Sequence, residues 1–540
     1  MSSPTSDRAA VSAPVDAGFP ADIPPTIPAA VQRAARLWPD AEALVDGDIR
    51  FSFGQLAERI DEAARAFIAS GLQPGDRAAI WAPNSARWIV AAFGLYAAGG
   101  VLVPINSRFK AAEAAHVLNT SKARFLFTVT DFLGTDYVEE LKREKVDGLE
   151  GIVVLAGPDR ADSTSFSAFL MRADAVLPAV VKARSDALGP EDLSDIIFTS
   201  GTTGKPKGAM LTHGASTRTY TSWSEVVGLR AGDRYLIAYP FFHTAGLKSG
   251  VLACFLTGSV IVPHPVFDAP SVMARVAKER ITMLPGPPAI FQTLLSADLK
   301  EYDTSSLRLA VTGAAAVPVE LVERLRTELK FASVVTGYGL TETTGTATMC
   351  RHDDDPVIIA TTCGRAIPGG EVCVVSASGE KLPPGEPGEV LVRGYQVMKG
   401  YFGDPAATAE TIDADGWLHT GDVGVLDEAG NLRITDRIKD MFIVGGFNAY
   451  PVEIENVILG HPAISQAAVV GVPDERLGEV GMAFVVLRPG ESLDPEAFLT
   501  WCRERMANYK VPRAVRVVDA LPLNATGKVL KYELRAMATG

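Results

Sequence analysis

Short apolar runs alternate with amphipathic stretches through most of the chain. AAIWAP, VLVPI, FLFTV, GIVVLA, DIIFTS, SVIVP, TMLPG, LRLAVTG and SVVTGYG read as strands. Between them lie helical patterns such as VPVELVERLRTELK (317–330), where Val319, Val322, Leu325 and Leu329 recur at helical spacing and Pro318 suits a first turn. The alternation predicts an α/β protein with layered, mostly parallel sheets, whose ligands lie beyond the carboxyl ends of the strands. WIVAAFGLYAAGGVLVPINS (88–107) carries no charge over about a membrane span. Gly99-Gly100 divides it and Pro104 closes VLVP, so a buried helix followed by a buried parallel strand is expected.

The texture changes near residue 370. EVCVVSASGEKLPPGEPGEVLVRG is turn-rich and strand-like, as in a small β subdomain. ITDRIKDMFIVGG (434–446) is a charged junction into a new strand, and the remainder describes a compact α+β unit large enough for a domain. The expected division is a lead-in over 1–24, a large domain over 25–437 and a small one over 438–540.

A formal net charge of −13 argues against a basic face for nucleic acid, while leaving room for a locally positive loop. Five scattered cysteines without a CxxC pair argue against a zinc or disulfide framework and fit a reduced, cytoplasmic setting. The N-terminus lacks the apolar run of a secretory signal. Neither a transmembrane segment nor a nucleic-acid partner is expected. Oligomeric state is left open, a homodimer included.

Five segments carry candidate chemistry. FTSGTTGKPKG (198–208) can surround a phosphate with amides, hydroxyls and ammonium groups, although it departs from the common phosphate loop in glycine spacing and in the residue after Lys205. A plain turn is its alternative. GYGLTE (337–342) offers the Tyr338 ring, the Thr341 hydroxyl and the Glu342 carboxylate, a group able to hold Mg²⁺; a turn capped by Thr341 is the rival reading. Asp422, ending GWLHTGD, suits ribose hydroxyls or an Asx turn. Arg437 stands in a charged junction, and Lys528 on a proline-glycine turn near the end of the chain. His243, in FFHTAG, reads as a packed histidine, and no GxSxG is present, which disfavours hydrolase chemistry.

In this order FTSGTTGKPKG, GYGLTE, GWLHTGD, ITDRIKD with GGFNAYPVEIE, and NATGK resemble the adenylate-forming superfamily of acyl-CoA synthetases, over about residues 25 to 535. The resemblance implies a large N-terminal domain topped by a mobile C-terminal one. It implies a two-step reaction: a carboxylic acid and ATP, with Mg²⁺, give acyl-AMP and pyrophosphate, and CoA then displaces AMP. It places Thr199, Ser200, Gly201, Thr202, Thr203, Gly204 and Lys207 on the β- and γ-phosphates. Ala314, Ala315, Thr336, Gly337 and Tyr338 would be at the adenine, Thr341 at the α-phosphate and Glu342 on the Mg²⁺. Asp422 and Arg437 would be at the ribose, and Lys528 between carboxylate and α-phosphate. Lys439 would be the hinge, and Gly445 and Gly446 the wall of the CoA tunnel.

The implied acyl pocket comprises Phe242, His243, Gly246, Lys248, Gly337, Gly339, Gly345 and Thr346. Its glycines at 337, 339 and 345 suggest open space for a bulky or long acid. Lys248, in the apolar GLKSGVLACFL, reads either as a snorkelling lysine or as a donor to a polar group on the acid. Stretches such as PFFHTAGLKSG and LAVTGAAAVPVELVERL resemble the actinobacterial group of steroid-propanoate and fatty-acid CoA ligases. The alternatives are an acyl-AMP ligase loading a carrier protein and an inactive nucleotide-binding relative. With little chain after LPLNATGK, a fused carrier domain is not expected.

Overall fold

The structure, a computed structural model, describes residues 19–158, 160–199, 206–296, 301–313, 317, 319–437, 440–444, 447–474, 476–523 and 529–539, without the side chains at 289, 436, 437, 447, 448 and 539. Runs such as FLFTV (Phe125–Val129) are buried along their whole length because helices cover both faces of a parallel sheet. That strand belongs to a seven-stranded sheet ordered Thr164–Ser165, Gly151–Ala156, Phe125–Val129, Arg77–Trp81, Val101–Pro104, Leu193–Thr199, Lys207–Thr212. Its pairs are parallel except the last, which is an antiparallel hairpin with Thr199 opposite Lys207.

The second sheet has nine strands: Arg365–Ala366, Thr348–Met349, Ser333–Tyr338, Leu309–Gly313, Met283–Pro285, Arg234–Ile237, Val260–Pro263, Glu42–Asp46 and Ile49–Ser52. Its centre is parallel and only its outermost strands run antiparallel. The helix Ala86–Ala97 starts at Ser85, whose Oγ accepts the Trp88 amide, and every one of its residues but the exposed Arg87 is buried. A helix apolar over almost all of its surface needs cover on nearly every side. Here it packs on the helix Phe53–Ala69 and on strands of both sheets, then leads into Val101–Pro104. No described helix is long and apolar enough to cross a membrane.

In the helix Val319–Thr327 the apolar pattern holds at Val322 and Leu325, with Leu329 buried just beyond. Val319 is exposed, and Leu321 takes the buried place instead. Residues 370–437 form a four-stranded antiparallel sheet of Gly370–Val375, Gly388–Gly394, Leu418–Leu426 and Leu432–Arg437. A smaller C-terminal domain follows. It is built on a five-stranded sheet whose long central pair, Ile464–Asp474 with Gly478–Leu487, is flanked by the helices Pro451–Ile458, Pro495–Arg503 and Lys531–Thr539. It gathers a core of its own around Phe442, Ile454, Val469, Phe498 and Cys502. The fold is therefore a large N-terminal α/β domain followed by a smaller C-terminal one.

Candidate active site

Two strands bring the main groups together. Leu193–Thr199 ends at Thr199, and Ser333–Tyr338 ends beside a 3-10 turn at Thr341–Thr343. The Thr199 hydroxyl donates to Glu342 Oε1 at 3.4 Å, so the groups expected to meet phosphate and metal lie side by side. The Tyr401 hydroxyl donates to the same oxygen at 2.9 Å. Among the described residues both hydrogen bonds to this carboxylate fall on Oε1. Oε2 then offers the hard, anionic oxygen that Mg²⁺ prefers, and the donor set fits that ion. Lys207, opposite Thr199, sets its ammonium 5.3 Å from the centre of the Tyr401 ring. The turn is capped by Thr343, whose Oγ1 accepts the Leu340 amide, so Thr341 is not needed as the cap.

Asp422 lies within the strand Leu418–Leu426 and is 2% exposed. Its Oδ2 accepts the Tyr338 hydroxyl at 2.6 Å, which joins the residues expected at ribose and adenine. The strand position removes the Asx-turn alternative. Arg437 is the backbone partner of Asp422 across the sheet. Thr336 is buried, and its hydroxyl donates to the carbonyls of Ile359 and Thr362 at 2.8 and 2.9 Å. Its side chain is thus engaged in the fold. Ser200, Gly201, Thr202, Thr203, Gly204, Ala314, Ala315, Lys439, Gly445, Gly446 and Lys528 lie outside the described residues.

Three expectations about the acyl pocket need correction. Gly337, Gly339 and Gly345 do not supply open space. A Cβ on Gly337 would stand 2.3 Å from Met349 Sδ, and one on Gly339 2.4 Å from the Gly345 carbonyl oxygen. Gly345, at φ +97°, would press a Cβ to 2.5 Å from the Tyr220 hydroxyl. These glycines permit close packing. Lys248 does not snorkel: it is wholly buried, its ammonium donating to Asp195 and lying 5.4 Å from the Tyr96 ring centre. Nor does it stand as a spare donor for the acid. Asp195 also accepts from Tyr96 and Ser194, so the ammonium belongs to a closed polar cluster within the apolar interior.

Phe242 is buried and His243 half-buried. His243 caps a short helical turn, its Nδ1 accepting the Ala245 amide at 3.1 Å, and burial lowers its pKa to about 4, so the ring is neutral near pH 7. Gly246 packs against the Pro240 and Tyr239 carbonyls, and Thr346 is buried in the turn after Gly345. Lys248 falls in the π-helical stretch Leu247–Leu252. Such stretches often accompany functional sites.

The sequence reading passed over two organisers of this region. Buried Asn84 donates to the carbonyls of Ile237 and Tyr239 and accepts the Phe241 amide, clamping the approach to FFHTAG. Tyr401 is the other. Neither is visible in its local sequence, because each acts on residues more than fifty positions away.

Residues 31–402 match the AMP-binding enzyme family, and residues 453–528 match the AMP-binding enzyme C-terminal domain. Over 518 residues, 95% of this chain and 98% of the relative, the protein is 50% identical to the 3-[(3aS,4S,7aS)-7a-methyl-1,5-dioxo-octahydro-1H-inden-4-yl]propanoyl:CoA ligase of Rhodococcus jostii. It is 48% identical over 513 residues, 95% of this chain and 99% of the relative, to the Mycobacterium tuberculosis enzyme of the same name. A solved anthranilate CoA ligase in complex with anthranoyl-AMP matches it with a TM-score of 0.85 at 28% identity, over 95% of this chain and 97% of that one. The reaction joins a carboxylic acid to CoA through an acyl-AMP intermediate, consuming ATP with Mg²⁺ and releasing AMP and pyrophosphate. The chain belongs to the AMP-binding enzyme family, as an AMP-forming acyl-CoA ligase.

Proposed function

We propose that the acid is a bulky alicyclic propanoate, of the class for which the Rhodococcus and Mycobacterium ligases are named. The observation that carries this reading is identity of 50% and 48% sustained over almost the whole of both relatives. The enzyme works in a cytoplasmic setting, a reading supported by five cysteines that are all free thiols.

In the first half-reaction the acid's carboxylate oxygen attacks the α-phosphorus and the bond to pyrophosphate breaks. Two anions must approach each other while charge grows on the leaving oxygen, and fixed donors aimed at that charge lower the barrier. The 200–204 segment with Thr199 and Lys207 holds the departing pyrophosphate. Thr341 faces the α-phosphate, and Lys528 joins carboxylate to phosphate. Glu342 holds the Mg²⁺, which when bound neutralises phosphate charge. Asp422, fixed by Tyr338 and supported by Arg437, takes the ribose hydroxyls. In the second half-reaction the residues from 438 onward turn about Lys439. Lys528 withdraws, and CoA enters past Gly445 and Gly446 to displace AMP.

Pyrophosphate release across an indane-dione propanoic acid, aromatic acids and unbranched fatty acids, with and without CoA, tests the assignment. The bicyclic acid should have the highest kcat/KM, by about tenfold or more over the best fatty acid. A fatty acid that surpasses it overturns the reading.

A further inference from the structure

The sequence VMKGYFGDP stands outside every motif used above, yet residues 398–402 are tied on both sides to the site. The Met398 amide donates to the Glu342 carbonyl at 2.9 Å. Lys399 and Phe402 donate to the carbonyls of Met210 and Gly208, and Met210 donates back to Gly400, all within 2.8–2.9 Å. One short segment therefore holds the turn bearing Glu342 against the strand that returns from the glycine-rich loop. Tyr401 adds its side chain to the same connection. Its hydroxyl reaches Glu342 Oε1 at 2.9 Å, and its ring lies 5.3 Å from the Lys207 ammonium.

The two contacts have opposite electrical sense. A phenolic hydrogen favours an anion, while the face of the ring favours a cation within about 6 Å of its centre. Glu342 and Lys207 are opposite charges near one another, and without a nucleotide they would gain by pairing directly. Among the described residues no ion pair joins them; Tyr401 engages one with its hydroxyl and the other with its ring.

We propose that Tyr401 is a positioning residue for the metal–nucleotide complex, holding Glu342 by one oxygen so that the other is reserved for Mg²⁺, and keeping Lys207 apart from Glu342 and available to phosphate. The proposal rests on the reading of Glu342 as the Mg²⁺ ligand and Lys207 as a phosphate ligand.

Tyr401→Phe removes only the hydroxyl, and Tyr401→Leu removes ring and hydroxyl together. Equilibrium binding of AMP, of ATP without metal and of ATP with Mg²⁺ should be compared with the thermal midpoint and with the Mg²⁺ concentration giving half-maximal pyrophosphate release. Tyr401→Phe should weaken Mg-ATP binding by about tenfold and raise the half-saturating Mg²⁺, with AMP binding and the midpoint unchanged. Tyr401→Leu should in addition weaken metal-free ATP, through Lys207. An unchanged Mg²⁺ dependence in Tyr401→Phe, beside a clear shift in Glu342→Gln, overturns the proposal for Tyr401. An equal loss of AMP and Mg-ATP binding does so as well, because it marks a merely structural role. An unshifted Glu342→Gln removes the metal assignment and the proposal with it.

Discussion

His213 lies wholly inside the protein, with Nδ1 accepting the Ile27 amide at 3.4 Å. Burial, reinforced by the Lys248 charge, lowers its pKa to about 3 from an ordinary 6.5. Below pH 6.5 the unfolded chain takes up a proton that the native ring refuses until about pH 3. This contribution to stability is complete above pH 6.5 and is lost as pH falls through that window. Between about pH 7 and about pH 5 the wild-type protein should lose about 2 kcal/mol more stability than His213→Phe, read from urea unfolding at each pH. Single residues also mark where sequence legibility ends. A glycine looks the same in a sequence whether its missing side chain leaves room or admits a neighbour. Gly339 and Gly345 belong to the second kind, and only the distances to their surroundings decide it.

Strands were legible where burial on both faces left continuous apolar runs, as in FLFTV and VLVP. The hairpin after Thr199 was not. A glycine-rich loop after an apolar run reads equally well as a strand passing into a helix, the arrangement in which a helix N-terminus helps hold phosphate. Here Lys207–Thr212 returns as a strand, and the helix begins only at His213. The π-helical Leu247–Leu252 was hidden for a related reason, since its apolar residues fit any helix. That element is joined to the strand Leu193–Thr199 by the buried pair of Lys248 and Asp195, 53 positions apart. Lys248→Ala leaves a buried carboxylate without its counter-charge and should cost about 3–5 kcal/mol. Lys248→Met with Asp195→Asn removes both charges while leaving an acceptor for Tyr96, and should recover part of that loss. Urea unfolding of the two variants checks both outcomes; equal stability of the two would contradict the account.

Under the proposed assignments the molecule divides its chemistry unevenly. The larger part carries Thr199, Lys207, Glu342, Tyr338 and Asp422, whose contacts converge at the carboxyl ends of two strands and on the neighbouring antiparallel sheet. Lys528 belongs to the C-terminal portion, beyond a separate core around Phe442 and Phe498. If the half-reactions need different arrangements of these parts, Lys528 matters to one of them alone. Lys528→Ala should reduce acyl-AMP formation by about 10²–10³ or more and leave thioester formation from supplied acyl-AMP near the wild-type rate. Equal losses in both assays would refute the division. The order of these motifs was readable because each ends an apolar run or sits on a turn. Their closeness in space was not, because Thr199 and Glu342 are 143 residues apart and Tyr338 and Asp422 are 84 apart.

Lys207–Thr212 is the outermost strand of the seven-stranded sheet, and an outer strand with unpaired amides invites association with other chains. Residues 399–402 occupy those amides and carbonyls, so the connection that steadies the site also covers the sheet's edge. With Glu342 in the proposed role, protection of the edge and catalysis are coupled at this segment. A change that loosens it exposes a surface prone to aggregation as it disturbs Glu342, and selection for either property acts on the same few residues.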